Sequence, residues 1–209
     1  MSEPEEKPPA QIYLITPSTF DLAAFSDQLA SILDAHDIAC VRLSLASTDE
    51  RDIARAADRL REVCHARDVA IVIATHFRLV QPHGLDGVHL PDSSRQVRDV
   101  REALGADAIV GTYCGASRHA GMTAGEIGAD YISFGPVTEN ALGSGKIAPF
   151  DLFEWWSETV EVPIVAEGNI TPEAATTLAP VVDFFAFGDE IWGADDPSAT
   201  LGDYIKRIS

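Results

Sequence analysis

Cysteine is scarce, with three residues in 209, and Cys40, Cys64 and Cys114 show no CxxC spacing. An odd, dispersed set excludes a disulfide framework and a zinc knuckle, and it fits a reducing cytoplasm. Basic residues are few as well. Fifteen Lys and Arg stand against 33 Asp and Glu, a formal charge of −18. A surface that acidic repels phosphate backbones and anionic headgroups, so nucleic acid is excluded as a partner. No apolar run approaches the roughly 18 residues of a membrane span, and "MSEPEEKPPA" lacks the basic-then-apolar order of a leader. Residues 1–10 are expected to be a disordered arm ahead of one domain over 11–209. No GxGxxG follows the first strand-like run, which argues against a dinucleotide-binding sheet.

What is present is an alternation. Short β-rich runs occur at 12–16, 38–44, 69–74, 86–90, 107–111, 130–135, 162–168 and 182–188. Near-continuous apolar runs suit parallel strands covered on both faces, and a spacing of roughly 24 residues leaves room for one helix per unit. Between them lie helix signals: Ser47 and Glu50 in capping-box spacing before Ile53, Ala57, Leu60 and Cys64, and Thr171 before Pro172 and Glu173. Ser18 or Thr19 is expected to cap the first helix, and a last helical stretch is expected from about Ile191 to Ile208. The "LVQPHG" connection is too short for more than about one or two helical turns. Eight such units predict a single closed (β/α)8 TIM barrel, with chemistry at the strand C-termini.

The segments "DGVHLPD", "GADAIVGTYC", "GADYISFGPV" and "PIVAEGNITPEAATTLAPVVDFFAFGDEI" resemble, in order and spacing, the thiamine phosphate synthase and TenI family. The resemblance implies a barrel enzyme that joins a pyrimidine methyl diphosphate to a thiazole phosphate, with magnesium, releasing diphosphate. It makes small-molecule thiamine precursors the expected partners and leaves a homo-oligomer open. On the family pattern Arg42, Ser44 and Ala46 fall where glutamine, arginine and lysine usually end the second strand. Arg42 is thus either a charge at the site or a structural ion-pair partner.

Ala74, Thr75 and His76 stand where an Asn-Asp-Arg stretch is common. Asp92 is open to two roles, magnesium ligand or helix N-cap. Thr138, Ser144 and Lys146 are the stand-ins for a phosphate-contacting Thr-x-Thr-Lys loop after the "GPV" corner. Gly168, Asn169 and Gly188 are expected to offer groups to the second phosphate. Glu167 and Asp189 bring negative charge there, and one like-charge pair at about 5 Å costs on the order of 3 kcal/mol at an effective dielectric near 20. Ordinary synthase activity is therefore in question on the sequence.

Other readings stay open. A non-catalytic barrel would bind a cationic or neutral heterocycle. A TenI-like tautomerase would use His119 or His76 as base, and a metal-dependent hydrolase would hold a divalent ion on two of His76, His83, His89 and His119 with Asp92 or Asp189. Cys114 is either an activated thiolate or a packed side chain. The tryptophans of "FDLFEWW" have helical spacing and are expected to cover the barrel exterior or a subunit contact.

Overall fold

A computed structural model describes residues 7–91, 95–139 and 145–209. Eight parallel strands close into a barrel in sequence order: β1 (Gln11–Ile15), β2 (Cys40–Leu43), β3 (Ala70–Ala74), β4 (Gly87–Leu90), β5 (Ile109–Tyr113), β6 (Tyr131–Phe134), β7 (Ile164–Glu167) and β8 (Phe184–Phe187). The last pairs with the first, Gln11 opposite Phe184. Around them lie α1 (Leu22–Ala35), α2 (Glu50–His65), α3 (Val80–His83), α4 (Val97–Leu104), α5 (Arg118–Glu126), α6 (Phe150–Thr159), α7 (Pro172–Leu178), α8 (Asp189–Trp192) and α9 (Pro197–Ile208). No helix among the described residues is long and apolar enough to cross a membrane.

The runs are apolar throughout because each strand has two buried faces. Odd and even positions serve different cores. Outward residues such as Leu14, Val41, Ile132, Phe134 and Phe187 pack under the helices, where Phe134 meets Phe153 and Trp156 edge-on. Inward residues Tyr13, Cys40, Val72, Tyr131, Val165 and Ala186 fill the barrel axis. Tyr131 is large enough that its neighbour has no side chain: a Cβ on Gly111 would lie 1.9 Å from the Tyr131 ring. Gly111 lies directly opposite Tyr131 in the β5–β6 register, and β5, like β2, β7 and β8, begins two residues later than the apolar run in the sequence.

Three aspartates repeat one device at the base of the barrel. The carboxylates of Asp86, Asp130 and Asp183, each just before an even-numbered strand, accept from the amides of Ile71, Val110 and Ile164 at 2.7, 2.7 and 2.8 Å. Each clips its strand to the preceding one, so register is set at strand entry as well as by the apolar pattern.

Caps differ in detail from the sequence expectation. Asp21, rather than Ser18 or Thr19, caps α1, accepting from Ala24 N at 2.9 Å. Asp49 caps α2, and Ser47 instead accepts from the Asp49 amide. Thr171 caps α7 as expected, with Pro172 in the first turn. The expected final helix is two: Asp196 caps α9 and Pro197 opens it, because proline is tolerated in a first helical turn and not in the interior. Between β3 and β4 the short connection holds only a 3-10 turn (Phe77–Leu79) and α3. Helix α6 carries the tryptophans, with Trp156 fully buried under the barrel wall and the Arg118 guanidinium 4.1 Å from the Trp155 ring centroid.

Candidate active site

The C-terminal mouth of the barrel holds a cavity of about 600 Å³, lined by Ile15, Thr16, Ser18, Ser44, Gly168, Asn169, Ala186, Gly188, Asp189 and Glu190. Five residues singled out from the sequence, Ser44, Gly168, Asn169, Gly188 and Asp189, therefore meet on one wall although up to 145 positions separate them (189 − 44). The strand ends bring them there. Ser44 follows β2, its amide held by Thr16 Oγ1 at 3.0 Å. Gly168 and Asn169 follow β7 with positive φ, 87° and 54°, the left-handed region that glycine and asparagine enter most readily. A Cβ on Gly168 would stand 3.1 Å from Pro136 Cα, so the β6 and β7 loops are in close contact.

Thr138 lies beside this wall in a structural role. Its hydroxyl donates to the Asn169 carbonyl, while the Asn169 amide donates to Thr138 Oγ1 at 2.7 Å and to the Glu139 carbonyl. Lys146 is exposed on the segment leading to α6. Asp92 and Ser144 lie outside the described residues. His119 is exposed in the first turn of α5 and does not line the cavity.

Arg42 resolves as an ion-pair partner. It is 6% exposed, and its Nη1 lies 3.1 Å from Glu167 Oε2, with the guanidinium 5.6 Å from the Tyr13 ring centroid. Burial opposes its charge, but Glu167 and the two tyrosines hold it firmly protonated. The expected repulsion between Glu167 and a phosphate is thereby corrected, because the Glu167 charge is compensated by Arg42 inside the barrel. Asp189 is exposed at the start of α8, on the cavity lining.

Beneath this pair runs a polar chain that sequence reasoning missed. Tyr13 OH and Tyr131 OH are 2.9 Å apart, Tyr131 OH is 2.9 Å from His89 Nδ1, and His89 Nε2 is 4.0 Å from Glu167. His89 is 4% exposed; burial first, and then the Arg42 charge, hold its pKa well below the usual imidazole value. It is a neutral core histidine. Parity was the available signal: Tyr13, Arg42, His89, Tyr131 and Glu167 all occupy inward positions of their strands.

The histidines do not assemble into a metal centre. His83 pairs with Asp58 at 2.8 Å and His65 with Asp86 at 2.9 Å, both away from the mouth. Among the described residues no group of three His, Cys, Asp or Glu side chains is placed to hold a metal ion. Cys114 is no activated thiolate, since burial pushes its thiol up to about 12.

A closed eight-stranded parallel barrel flanked by helices, with a cavity over the strand C-termini, is a (β/α)8 TIM barrel. A structure of thiamine phosphate pyrophosphorylase from Pyrococcus furiosus superposes with a TM-score of 0.82 over 95% of both chains, at 19% identity. The chain belongs to the thiamine monophosphate synthase (TMP-TENI) family, whose model matches residues 12–190. Thiamine-phosphate synthase from Rhodospirillum centenum is 42% identical over 199 residues, spanning 94% of this chain and 96% of that one. The protein of the same name from Erythrobacter litoralis is 35% identical over 201 residues, 93% and 94% of the two chains.

Proposed function

We propose that this protein is a thiamine-phosphate synthase, transferring the methylene carbon of a pyrimidine methyl diphosphate to the ring nitrogen of a thiazole phosphate. The C–O bond to diphosphate breaks with its electron pair leaving on diphosphate, and the thiazole nitrogen lone pair forms the new C–N bond. The observation that carries this reading is near-full-length similarity, at 42% identity, to a protein named for the activity. Family membership and a mouth cavity of about 600 Å³, within the size range of small-molecule sites, support it.

In this reading Ser44, Gly168, Asn169 and Gly188 form the acceptor wall, and Lys146 and Asp92 serve the diphosphate. Arg42 acts as half of its pair with Glu167, stiffening the wall behind the cavity. Magnesium would be held by the diphosphate together with Asp92 and would neutralise charge on the departing diphosphate, as a hard cation that keeps several waters and binds through substrate phosphates does. His119 takes no part, being exposed on α5.

The test is incubation of purified protein with both precursors, with magnesium or with chelator, followed by chromatography for thiamine phosphate and an assay of free diphosphate. Equal amounts of both products, dependent on magnesium, are expected. Binding of either precursor without coupling would overturn the proposal. It would favour the second reading, a non-catalytic barrel for a cationic or neutral heterocycle, for which the carboxylates of Asp189 and Glu190 on the cavity wall speak.

A further inference from the structure

The β1–β8 ladder stops with Leu14 opposite Phe187. Beyond it the chains diverge, β1 into the loop that carries Thr16 and Ser18, β8 into the turn that carries Gly188, Asp189 and Glu190, and all five residues line the mouth cavity together with Ile15. A side chain takes over where the ladder ends. The indole Nε1 of Trp192 donates to the Ile15 carbonyl at 2.6 Å, and the backbones are close there, since a Cβ on Gly188 would lie 3.6 Å from Ile15 Cβ. Aromatic rings back the bond: the Phe25 ring centroid lies 4.9 Å from that of Trp192, edge-on, and 4.4 Å from that of Phe20, so α1 and the loop after β1 hold the indole in place.

Helix α8 has four residues, too few to hold its own direction. Two side chains strap it instead. On the β7 side the Glu190 carboxylate bridges the amides of Ile170 and Gly188, at 2.9 Å each, and on the β1 side Trp192 ties it to Ile15. Trp192 does not itself line the cavity, so it can act on a ligand only through the residues it holds, Ile15 on one chain and Gly188 and Asp189 on the other. Gly188 has no side chain to resist rotation and is the natural hinge of the turn once the indole bond is lost.

We propose that Trp192 is a positioning residue for the acceptor: its indole N–H holds the β8 turn against the end of β1, in the arrangement that brings Gly188 and Ile15 together around the thiazole phosphate. The inference rests on the proposed reading of this mouth as the acceptor site. Apparent affinity falls with the fraction of molecules whose wall is in place, and loss of one neutral hydrogen bond shifts such an equilibrium about threefold to tenfold.

Trp156 supplies a matched control. Its indole N–H donates to the Val162 carbonyl at 2.8 Å, ahead of β7 at the opposite end of the barrel from the mouth. Trp192→Phe and Trp156→Phe thus each remove one indole–carbonyl bond, the first at the wall and the second away from it. The experiment is calorimetry of the full chain, with magnesium, against the thiazole phosphate and the pyrimidine methyl diphosphate, accompanied by thermal melts. Both variants should melt below wild type. Trp192→Phe is expected to bind the thiazole phosphate about threefold to tenfold more weakly, with its affinity for the diphosphate changed by less than about twofold. Trp156→Phe should leave both affinities within about twofold of wild type. Should either variant fail to fold, the wild-type indole N–H resonances decide: that of Trp192 should move on saturation with thiazole phosphate and that of Trp156 should not. In an active enzyme the KM for the thiazole phosphate should rise by the same factor in Trp192→Phe with kcat within about twofold, a split that a general loss of stability does not produce. Unchanged acceptor affinity in folded Trp192→Phe, an equal loss in Trp156→Phe, or a Trp192 resonance that ignores saturating acceptor would overturn this inference alone. A wild type that binds no thiazole phosphate would overturn the reading of the mouth, and this inference with it.

Discussion

Removing Glu167 should strand a cation in the barrel. Arg42 and Glu167 have side-chain exposures of 7% and 14% and lie 3.1 Å apart. In Glu167→Ala the guanidinium keeps its charge, because the Tyr13 face and the neutral His89 ring are the groups left near it and neither accepts a proton from it. Breaking such a pair from one side costs about 3–5 kcal/mol, whereas replacing both partners with apolar groups of similar volume is close to neutral. The expected order of stability is therefore wild type near Arg42→Leu/Glu167→Leu, with Glu167→Ala and Glu167→Leu well below both. Urea denaturation followed by circular dichroism measures it, and Glu167→Leu with Arg42→Leu completes a double-mutant cycle. A coupling energy of about 2 kcal/mol or more is expected. Additivity of the two single substitutions within about 0.5 kcal/mol would refute the reasoning, since it would mean that solvent already screens the pair.

Three further outcomes follow from the same interior. His89 has a depressed pKa in the folded chain, so the unfolded chain binds the extra proton first as pH falls. Stability should therefore decline from about pH 6.5 downward with a slope of up to about 1.4 kcal/mol per pH unit from this group, a slope that His89→Asn removes in melts at pH 7 and pH 5. Gly135→Ala places a Cβ 2.0 Å from the Glu167 carbonyl oxygen, so loss of soluble protein or a drop of about 3 kcal/mol or more is expected; a wild-type melting curve would contradict the close approach. Trp156→Ala empties a fully buried site under β6 and should cost about 3–5 kcal/mol in denaturant titration, whereas a loss below about 1 kcal/mol would mean that α6 does not pack there.

The barrel was legible along the chain because its signal is local and repeated. Eight apolar runs, separated by capped amphipathic segments, state the strand count, and the motifs at 86–92, 105–114, 128–137 and 163–191 carry the likeness to the family. Ser44, Gly168, Asn169, Gly188 and Asp189 could be placed at one mouth for that reason: each lies within two residues of a strand's C-terminal end. Charge could not be read in the same way. Glu167 looks like a free carboxylate until closure of the barrel sets it against Arg42, which is 125 positions away. Likewise His89 and Tyr131 become one neutral chain with Tyr13 only when β1, β4 and β6 face a common axis.

Glu190 shows the remaining gap. In the sequence it is an acid at the start of a short helix, and its worth depends on two amide directions that are set by loops after different strands. Composition and periodicity determine which residues face inward, because they follow from backbone period and solvent alone. Which of those residues neutralise, bridge or block one another depends on distances of about 3 Å between distant parts of the chain, and only the closed tertiary structure sets them.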